Sequence, residues 1–133
     1  MSEQGRLFVE LVCILNVNSA LKLLGAQSIL CKFQIGQTST YADVDINKKE
    51  HLCTTQLPIY KTAYDDFFEV SIFLNRIFSP DLCAGSSKIA MADLLTTATM
   101  HRGPMSKQFD CESGDISNLR PRVILKFVVQ LFY

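Results

Sequence analysis

The sequence has no excess of charge of either sign, no long apolar run and no secretion signal. Thirteen Lys and Arg balance thirteen Asp and Glu, whereas proteins that bind nucleic acid through bulk charge carry a clear basic excess. No apolar run approaches the ~20 residues of a membrane-spanning helix. The first residues, Met-Ser-Glu-Gln-Gly, lack the basic and apolar regions of a signal peptide. These absences predict a soluble, cytoplasmic protein without a nucleic-acid partner.

Closely spaced cysteine pairs are also missing. The five cysteines are Cys13, Cys31, Cys53, Cys83 and Cys111. None of them forms the C-x₂₋₄-C pair that structural zinc sites use. An odd number of widely spaced cysteines fits a reduced cytosolic chain better than a secreted disulfide framework. We therefore predict no metal and no cofactor, and we interpret Cys13 and Cys31 as small core residues.

Catalytic motifs are equally scarce. The sequence contains no G-x-S-x-G, P-loop or H-E-x-x-H pattern. His51 and Cys53 would share one face of a strand, and an enzyme would need a pocket that joins this pair, or His101 and Cys111, to another polar group. No third orienting group is apparent, so we predict that the protein is not an enzyme.

What the sequence does contain is alternation of apolar and polar residues, which predicts strands along most of the chain. The predicted strands are residues 6–17, 28–35, 38–45, 52–60, 67–74, 88–91, 106–111 and 122–132. Pro58 predicts that the fourth strand lies at a sheet edge or is shortened. Residues 85–87 are interpreted as part of a turn, and residues 93–101 as one or two helical turns with Asp93 as N-cap. The pattern predicts an all-β, antiparallel sandwich.

We expect the sandwich to be a single domain over residues 1–133. The chain stops directly after an apolar strand, at Leu131-Phe132-Tyr133, without a polar tail. Chain ends are usually looser and more polar. We therefore predict that these residues are the N-terminal part of a longer protein.

The segment between Phe67 and Leu95 resembles part of a C2 domain, an eight-stranded β-sandwich. The family has there a strand of alternating apolar residues, an Asp followed shortly by a Gly, a short strand and a closing leucine pair. The corresponding residues are Asp81, Gly85, Ile89 and Asp93-Leu94-Leu95. Residues 7–17 and 27–35 resemble the first two strands, and residues 123–131 resemble the last. The resemblance implies an antiparallel eight-stranded sandwich over nearly the whole chain, with at most one short helix.

The carboxylates of a calcium-binding C2 domain are missing. Such domains present about five loop carboxylates, because Ca²⁺ takes 6–8 oxygen ligands. Residues 20–27 contain no Asp or Glu, and the family's usual Asp-x-Asp maps onto Leu74-Asn75-Arg76. Only Asp81 remains near its expected place. The resemblance therefore implies a calcium-independent member of the family.

Two apolar loop tips form the first candidate site. They consist of Leu21, Lys22, Leu23 and Leu24 in one loop and Arg76, Ile77 and Phe78 in another. The resemblance implies that both tips lie at one end of the sandwich. Apolar tips flanked by cations suit shallow insertion into an anionic bilayer. The alternative is that the leucines cap the core.

Three lysines, Lys48, Lys49 and Lys61, form a second candidate site. Clustered cations attract phosphate groups, and many C2 domains bind phosphoinositides through a lysine-rich face. Five carboxylates stand near these lysines in the sequence: Asp43, Asp45, Glu50, Asp65 and Asp66. A solvated face of mixed charge is therefore the alternative to an anion patch.

These observations predict a non-catalytic, calcium-independent module that attaches a larger cytosolic protein to a protein partner in a scaffold or cytoskeletal assembly. Tyr41, Tyr60 and Tyr64 are candidate anchors for the partner. C2 domains with degenerate loops occur in centriolar and ciliary proteins, and the Asp-free loops resemble that group. The alternative function is a peripheral membrane domain that binds anionic phospholipid through the loop tips.

Overall fold

The computed structural model describes residues 3–17, 25–45, 53–100, 103–116 and 119–132. The strands are β1 (Glu3–Leu15), β2 (Ala26–Ile35), β3 (Thr38–Asp45), β4 (Cys53–Tyr60), β5 (Phe67–Arg76), β6 (Leu82–Ala90), β7 (Met105–Asp110) and β8 (Arg122–Leu131). The helix α1 (Met91–Met100) follows β6, and a short 3₁₀ helix (Lys61–Asp65) follows β4.

The strands form two four-stranded antiparallel sheets, which confirms the predicted all-β sandwich. The strand order is β4-β1-β8-β7 in one sheet and β3-β2-β5-β6 in the other. The strand predicted at residues 38–45 has the predicted bounds, and all the others except β6 agree within three residues at each end. Periodic burial explains this agreement, since one face of each strand must be apolar.

Pro58 lies in β4 at the edge of its sheet, as predicted. The N–H of Phe132, which follows β8, donates to the carbonyl of Gln4 in β1. Because the backbone N–H and C=O groups of successive residues in a strand point to opposite sides, the even-numbered residues of β1 direct theirs toward β8. Pro58 pairs with Arg6, and its nitrogen therefore faces the open side of β4. Because no sheet hydrogen bond is lost there, proline is tolerated within the strand.

The predicted turn at residues 85–87 is wrong, because these residues belong to β6. Ser86 and Glu112 exchange two backbone hydrogen bonds of 2.9 Å. A side chain on Gly85, which has φ +147°, would meet the backbone of Cys111 at 3.1 Å. The small residues of this segment thus permit the close approach of a second backbone and do not mark a turn.

The helix begins at Met91, so Asp93 lies in its first turn and is not the N-cap that we predicted. The N–H of Met91 donates to the carbonyl of Asp66 at 2.9 Å, which ties the start of α1 to the start of β5. Met91, Leu94 and Leu95 are buried and close one end of the core. No helix in the described segments is long and apolar enough to cross a bilayer.

Four phenylalanine rings join the two sheets in the core. The ring of Phe68 lies 6.2 Å from that of Phe33 in its own sheet. It lies 5.9 Å from Phe109 and 5.2 Å from Phe127 in the opposite sheet. Cys31 is buried, as predicted, whereas Cys13 is partly exposed.

The strand pairs define two ends of the sandwich. We call one of them the loop end. There Leu15 pairs with Arg122, Ala26 with Arg76 and Leu74 with Leu82. The strands that end there are joined by the chain connections 16–25, 46–52, 77–81 and 111–121. At the opposite end, which we call the helix end, lie α1, the 3₁₀ helix and the tight turn between β2 and β3. The turn between β5 and β6 therefore lies at the loop end, far from α1.

Candidate functional site

The turn between β5 and β6 presents the most exposed large apolar side chain of the described residues. Phe78 is 95% exposed and its neighbour Ile77 is 56% exposed. Each sits beyond the last core residue of β5, Leu74, which is fully buried. Two adjacent exposed apolar side chains at a turn indicate a contact surface, because their burial is favourable only on a partner or a membrane.

Arg76 fixes the shape of this turn. Its guanidinium Nε and Nη2 donate to the carbonyl oxygen of Pro80 at 3.0 and 2.8 Å. The bonds close the turn at its base and hold Ile77 and Phe78 between the two anchored residues. A turn that is ordered before binding loses less conformational entropy on contact. Sequence reasoning missed the part played by Pro80, because an arginine four residues before a proline carries no distinct signal.

The base of the turn lies beside the start of β2. Ala26 pairs with Arg76, and the side-chain amide of Asn75 donates to Ser28 Oγ at 3.2 Å. The connection from β1 therefore enters β2 next to this turn. The predicted loop residues Leu21, Lys22, Leu23 and Leu24 lie outside the described residues, so their grouping with Arg76, Ile77 and Phe78 stays a prediction.

Of the three predicted lysines, the structure describes one. Lys61 is exposed and begins the 3₁₀ helix at the helix end. Lys48 and Lys49 lie outside the described residues. The joint anion patch stays a prediction, and the described residues bring no second lysine of the set to Lys61.

Metal ligands are sparse around the turn. Leu74 is buried, the amide of Asn75 is bonded to Ser28, and Arg76 contributes a cation. Within the described ranges, no three His, Cys, Asp or Glu residues are grouped so that they could hold a metal ion. A guanidinium in the turn opposes the approach of a second cation. The chemistry of this site is apolar contact.

Cys111, one half of a candidate catalytic pair, is buried and protonated. Burial, with smaller contributions from Asp110 and Cys83, raises the pKa of its thiol from 9.0 to about 12. The thiolate is the nucleophilic form of cysteine, so Cys111 is unreactive at neutral pH. Its proposed partner His101 lies outside the described residues. The same holds for His51 and the side chain of Cys53, which form the other candidate pair.

The raised pKa of Cys111 predicts a loss of stability in alkaline solution. The thiol ionises near pH 9 in the unfolded chain but near pH 12 in the folded one. Between these values the unfolded state binds fewer protons, so this residue lowers the free energy of unfolding by up to about 1.4 kcal/mol per pH unit. Urea unfolding of wild type and Cys111→Ala at about pH 7 and pH 10.5 checks the effect. Between pH 7 and pH 10.5 the free energy of unfolding should fall more for wild type than for Cys111→Ala. The same difference between the two proteins at both pH values would contradict the prediction.

The architecture matches C2 domains of known structure. A C2 domain of plant Extended Synaptotagmin 1 aligns with a TM-score of 0.71 and 11% identity over 100% of this chain and 99% of that one. A calcium-bound fragment of Extended Synaptotagmin 2 that contains two C2 domains aligns with a TM-score of 0.71 and 14% identity, over 98% of this chain and 44% of that one. Human GIVD cytosolic phospholipase A2 aligns with a TM-score of 0.70 and 13% identity, over 98% of this chain and 17% of that one.

No protein-family model matches the sequence, and no curated protein matches it. The structural similarity nevertheless covers the whole sandwich. The chain has the fold of a C2 domain, as the sequence resemblance implied. The chain spans less than half of the synaptotagmin fragment and a small part of the phospholipase.

Proposed function

We propose that this chain is a non-catalytic binding module that places the β5–β6 turn in the surface of a lipid bilayer without calcium. The observation that carries the proposal is the exposure of Phe78 and Ile77 on a turn closed by Arg76. A protruding apolar tip suits the boundary between headgroups and acyl chains, whereas a protein partner would have to supply a matching pocket. The charge of Arg76, at the base of the tip, is favourable beside anionic headgroups.

We infer calcium independence from the residues at the base of the turn. Residues 74–76 provide one side-chain amide and no carboxylate, and Asp81 is the one carboxylate of residues 74–81. A calcium ion takes 6–8 oxygen ligands, several of them charged. The Extended Synaptotagmin 2 domains that share this fold are calcium-bound. We infer that apolar insertion replaces the metal bridge in this chain.

Phe78→Asp tests the proposal in a co-sedimentation assay with vesicles of phosphatidylcholine and phosphatidylserine. We expect wild type to bind equally in EGTA and in calcium. Full burial of a phenylalanine is worth about 2 kcal/mol, so the variant should bind roughly 30-fold more weakly. Phe132→Asp is the matched control, because Phe132 is 45% exposed and lies at the helix end.

Three results would contradict the proposal. Binding that requires calcium would show that the loops carry ligands in spite of their sequence. An equal loss in Phe78→Asp and Phe132→Asp would show that the turn is not the contact site. If wild type binds no vesicle of any lipid composition, the membrane function is removed.

A role in protein assembly is the second candidate function. One observation favours it, namely an open strand edge between β6 and β7 that is away from the turn. The sequence resemblance points to a scaffold in the cytoplasm, of the cytoskeletal, centriolar or ciliary kind. That narrower assignment rests on the resemblance alone, and the intact parent chain would be the bait for identifying the assembly.

A further inference from the structure

The two sides of the sandwich differ in how the sheet edges meet. On one side, Thr40 Oγ1 of β3 and Thr55 Oγ1 of β4 share a hydrogen bond of 2.7 Å. On the other side, Ser86 of β6 is bridged to Glu112, just after β7. From that bridge toward the helix end the two edges separate. They leave a cavity of about 480 Å³, here called the β6–β7 groove, which is lined by Ile89, Leu94, Thr97, Pro104, Met105, Ser106 and Lys107.

The wall formed by β7 carries backbone groups that its own sheet does not use. The N–H of Cys111 donates to the carbonyl of Pro121 at 2.8 Å, and the pairing of β7 with β8 continues from there without a shift. The odd-numbered residues of β7 therefore bond to β8. Ser106, Gln108 and Asp110 direct their N–H and C=O groups away from β8, toward the side of β6, and Ser106 is the one of the three that lines the groove. Such an edge is a template for an added strand.

The wall formed by β6 already makes one antiparallel bridge through its edge. Ser86 already exchanges two backbone hydrogen bonds with Glu112 in antiparallel register. Because backbone groups alternate along a strand, the N–H and C=O groups of Lys88 and Ala90 point to the same side of β6 as those of Ser86. The bridge closes the narrow end of the groove, and α1 closes the wide end.

The side chains of the groove combine an apolar floor with one cation. Leu94 and Met105 are buried and Ile89 is partly buried. Lys107 shares a strand face with Met105 and Phe109, so it projects toward the inside of the sandwich and lines the groove. Among the described residues, no carboxylate forms an ion pair with Lys107. A partially buried cation of this kind is best matched by a carboxylate from a ligand.

We propose that the β6–β7 groove binds an extended segment of a partner protein that pairs one apolar side chain with a neighbouring Asp or Glu. The backbone of the segment adds to the edge of β7, the apolar side chain packs on Leu94 and Met105, and the carboxylate pairs with Lys107. A second copy of this chain fits poorly, because β7 paired with β7 would bring two Lys107 ammonium groups into one groove. The site is separate from the turn proposed to bind membranes.

A library of random twelve-residue peptides displayed on phage is the probe for this groove. After selection on the wild-type chain, we expect enriched peptides to carry Asp or Glu within two residues of a large apolar residue. Fluorescence polarisation with the synthetic peptides then measures affinity. Lys107→Glu should lower the affinity for the acidic peptides roughly tenfold or more. Selection on that variant should instead enrich Lys or Arg.

Gln108→Pro tests the backbone pairing directly. It removes an N–H on the free edge of β7 and leaves the bonds to β8 intact, so we expect the variant to fold and its peptide affinity to fall roughly tenfold or more. Thr54→Pro is the matched control. Thr54 pairs with Glu10, and its N–H faces the open edge of β4, so peptide affinity should stay at the wild-type value.

Circular dichroism and thermal unfolding verify that each variant is folded. Should Gln108→Pro fail to fold, the charge reversal at Lys107 still decides the question. The proposal is overturned if selection yields no peptide, if binding survives both Gln108→Pro and Lys107→Glu, or if Thr54→Pro weakens it equally. Phe78→Asp should leave peptide affinity unchanged, which separates this site from the membrane function.

Discussion

Replacing Phe68 with alanine should lower the free energy of unfolding by about 3–5 kcal/mol. The side chain is fully buried, and its ring contacts Phe33 in one sheet and Phe109 and Phe127 in the other. The truncation leaves a cavity at the centre of the sandwich that side chains on rigid strands cannot fill. A total stability of about 5–15 kcal/mol is typical of such domains, so this loss is a large part of the free energy that keeps the chain folded. Urea denaturation measures the change.

Phe67→Ala is the matched control for this prediction. Phe67 is the preceding residue of β5, but it is 49% exposed on the outer face, where the Nζ of Lys88 lies 4.7 Å from its ring centre. Loss of that contact and of partial burial should cost about 1 kcal/mol. If the two variants unfold at the same urea concentration, the four rings do not form the central contact between the sheets.

The strands of the sandwich were predictable where burial alternates along the chain. In β5, Phe68, Val70, Ile72 and Leu74 are buried, and their spacing of two is visible in the sequence. In β3 the turn at Gly36 and the alternation together fix both ends of the strand. Local pattern suffices in these cases because each strand has one face on the core.

Two predictions were wrong, the turn at residues 85–87 and Asp93 as the N-cap of the helix. In both places a distant segment determines the local structure. Gly85 and Ser86 are in a strand because residues 111–115 pass across them, and nothing near them in the sequence reveals that contact. The helix starts at Met91 because its N–H meets the carbonyl of Asp66. Composition alone favoured Asp93 as the cap. In each case a long-range hydrogen bond overrides the local preference.

The candidate contact residues were predictable only in part. Ile77 and Phe78 were chosen from the C2 resemblance, and both are exposed at the loop end. The bond between Arg76 and the Pro80 carbonyl, which shapes the turn, depends on the folded geometry. The β6–β7 groove was not predicted, because its walls come from strands that are far apart in the sequence and its polar groups are backbone atoms.

The turn and the groove lie on different parts of the sandwich and offer different kinds of interaction. The turn offers apolar surface at the loop end, whereas the groove offers strand backbone and the charge of Lys107 between the two sheet edges. Neither site depends on bulk charge, which agrees with a formal net charge of zero. The two proposals together describe a module that holds a protein segment while its turn contacts a membrane.

Gly114→Ala should also destabilise the fold strongly, by about 3 kcal/mol. A Cβ at this position would lie 2.5 Å from the carbonyl carbon of Ala84 and 2.7 Å from the carbonyl oxygen of Cys83. Both are backbone atoms of β6, which cannot move aside cheaply. The segment would have to lift away from β6, breaking the hydrogen bond from the Asp115 N–H to the Cys83 carbonyl and the bond from the Cys83 N–H to Asp115 Oδ2.

Gly25→Ala separates this steric effect from the ordinary cost of replacing a glycine. Gly25 has φ +68°, and a Cβ added there would meet no described atom within 4 Å, so alanine should cost about 1 kcal/mol for the left-handed backbone alone. Urea unfolding of the two variants should therefore differ by about 2 kcal/mol. Equal stabilities would mean that residues 111–115 are free to move off β6. In that case the narrow end of the β6–β7 groove would be open, and the edge of β6 would be available along its whole length for pairing with another chain.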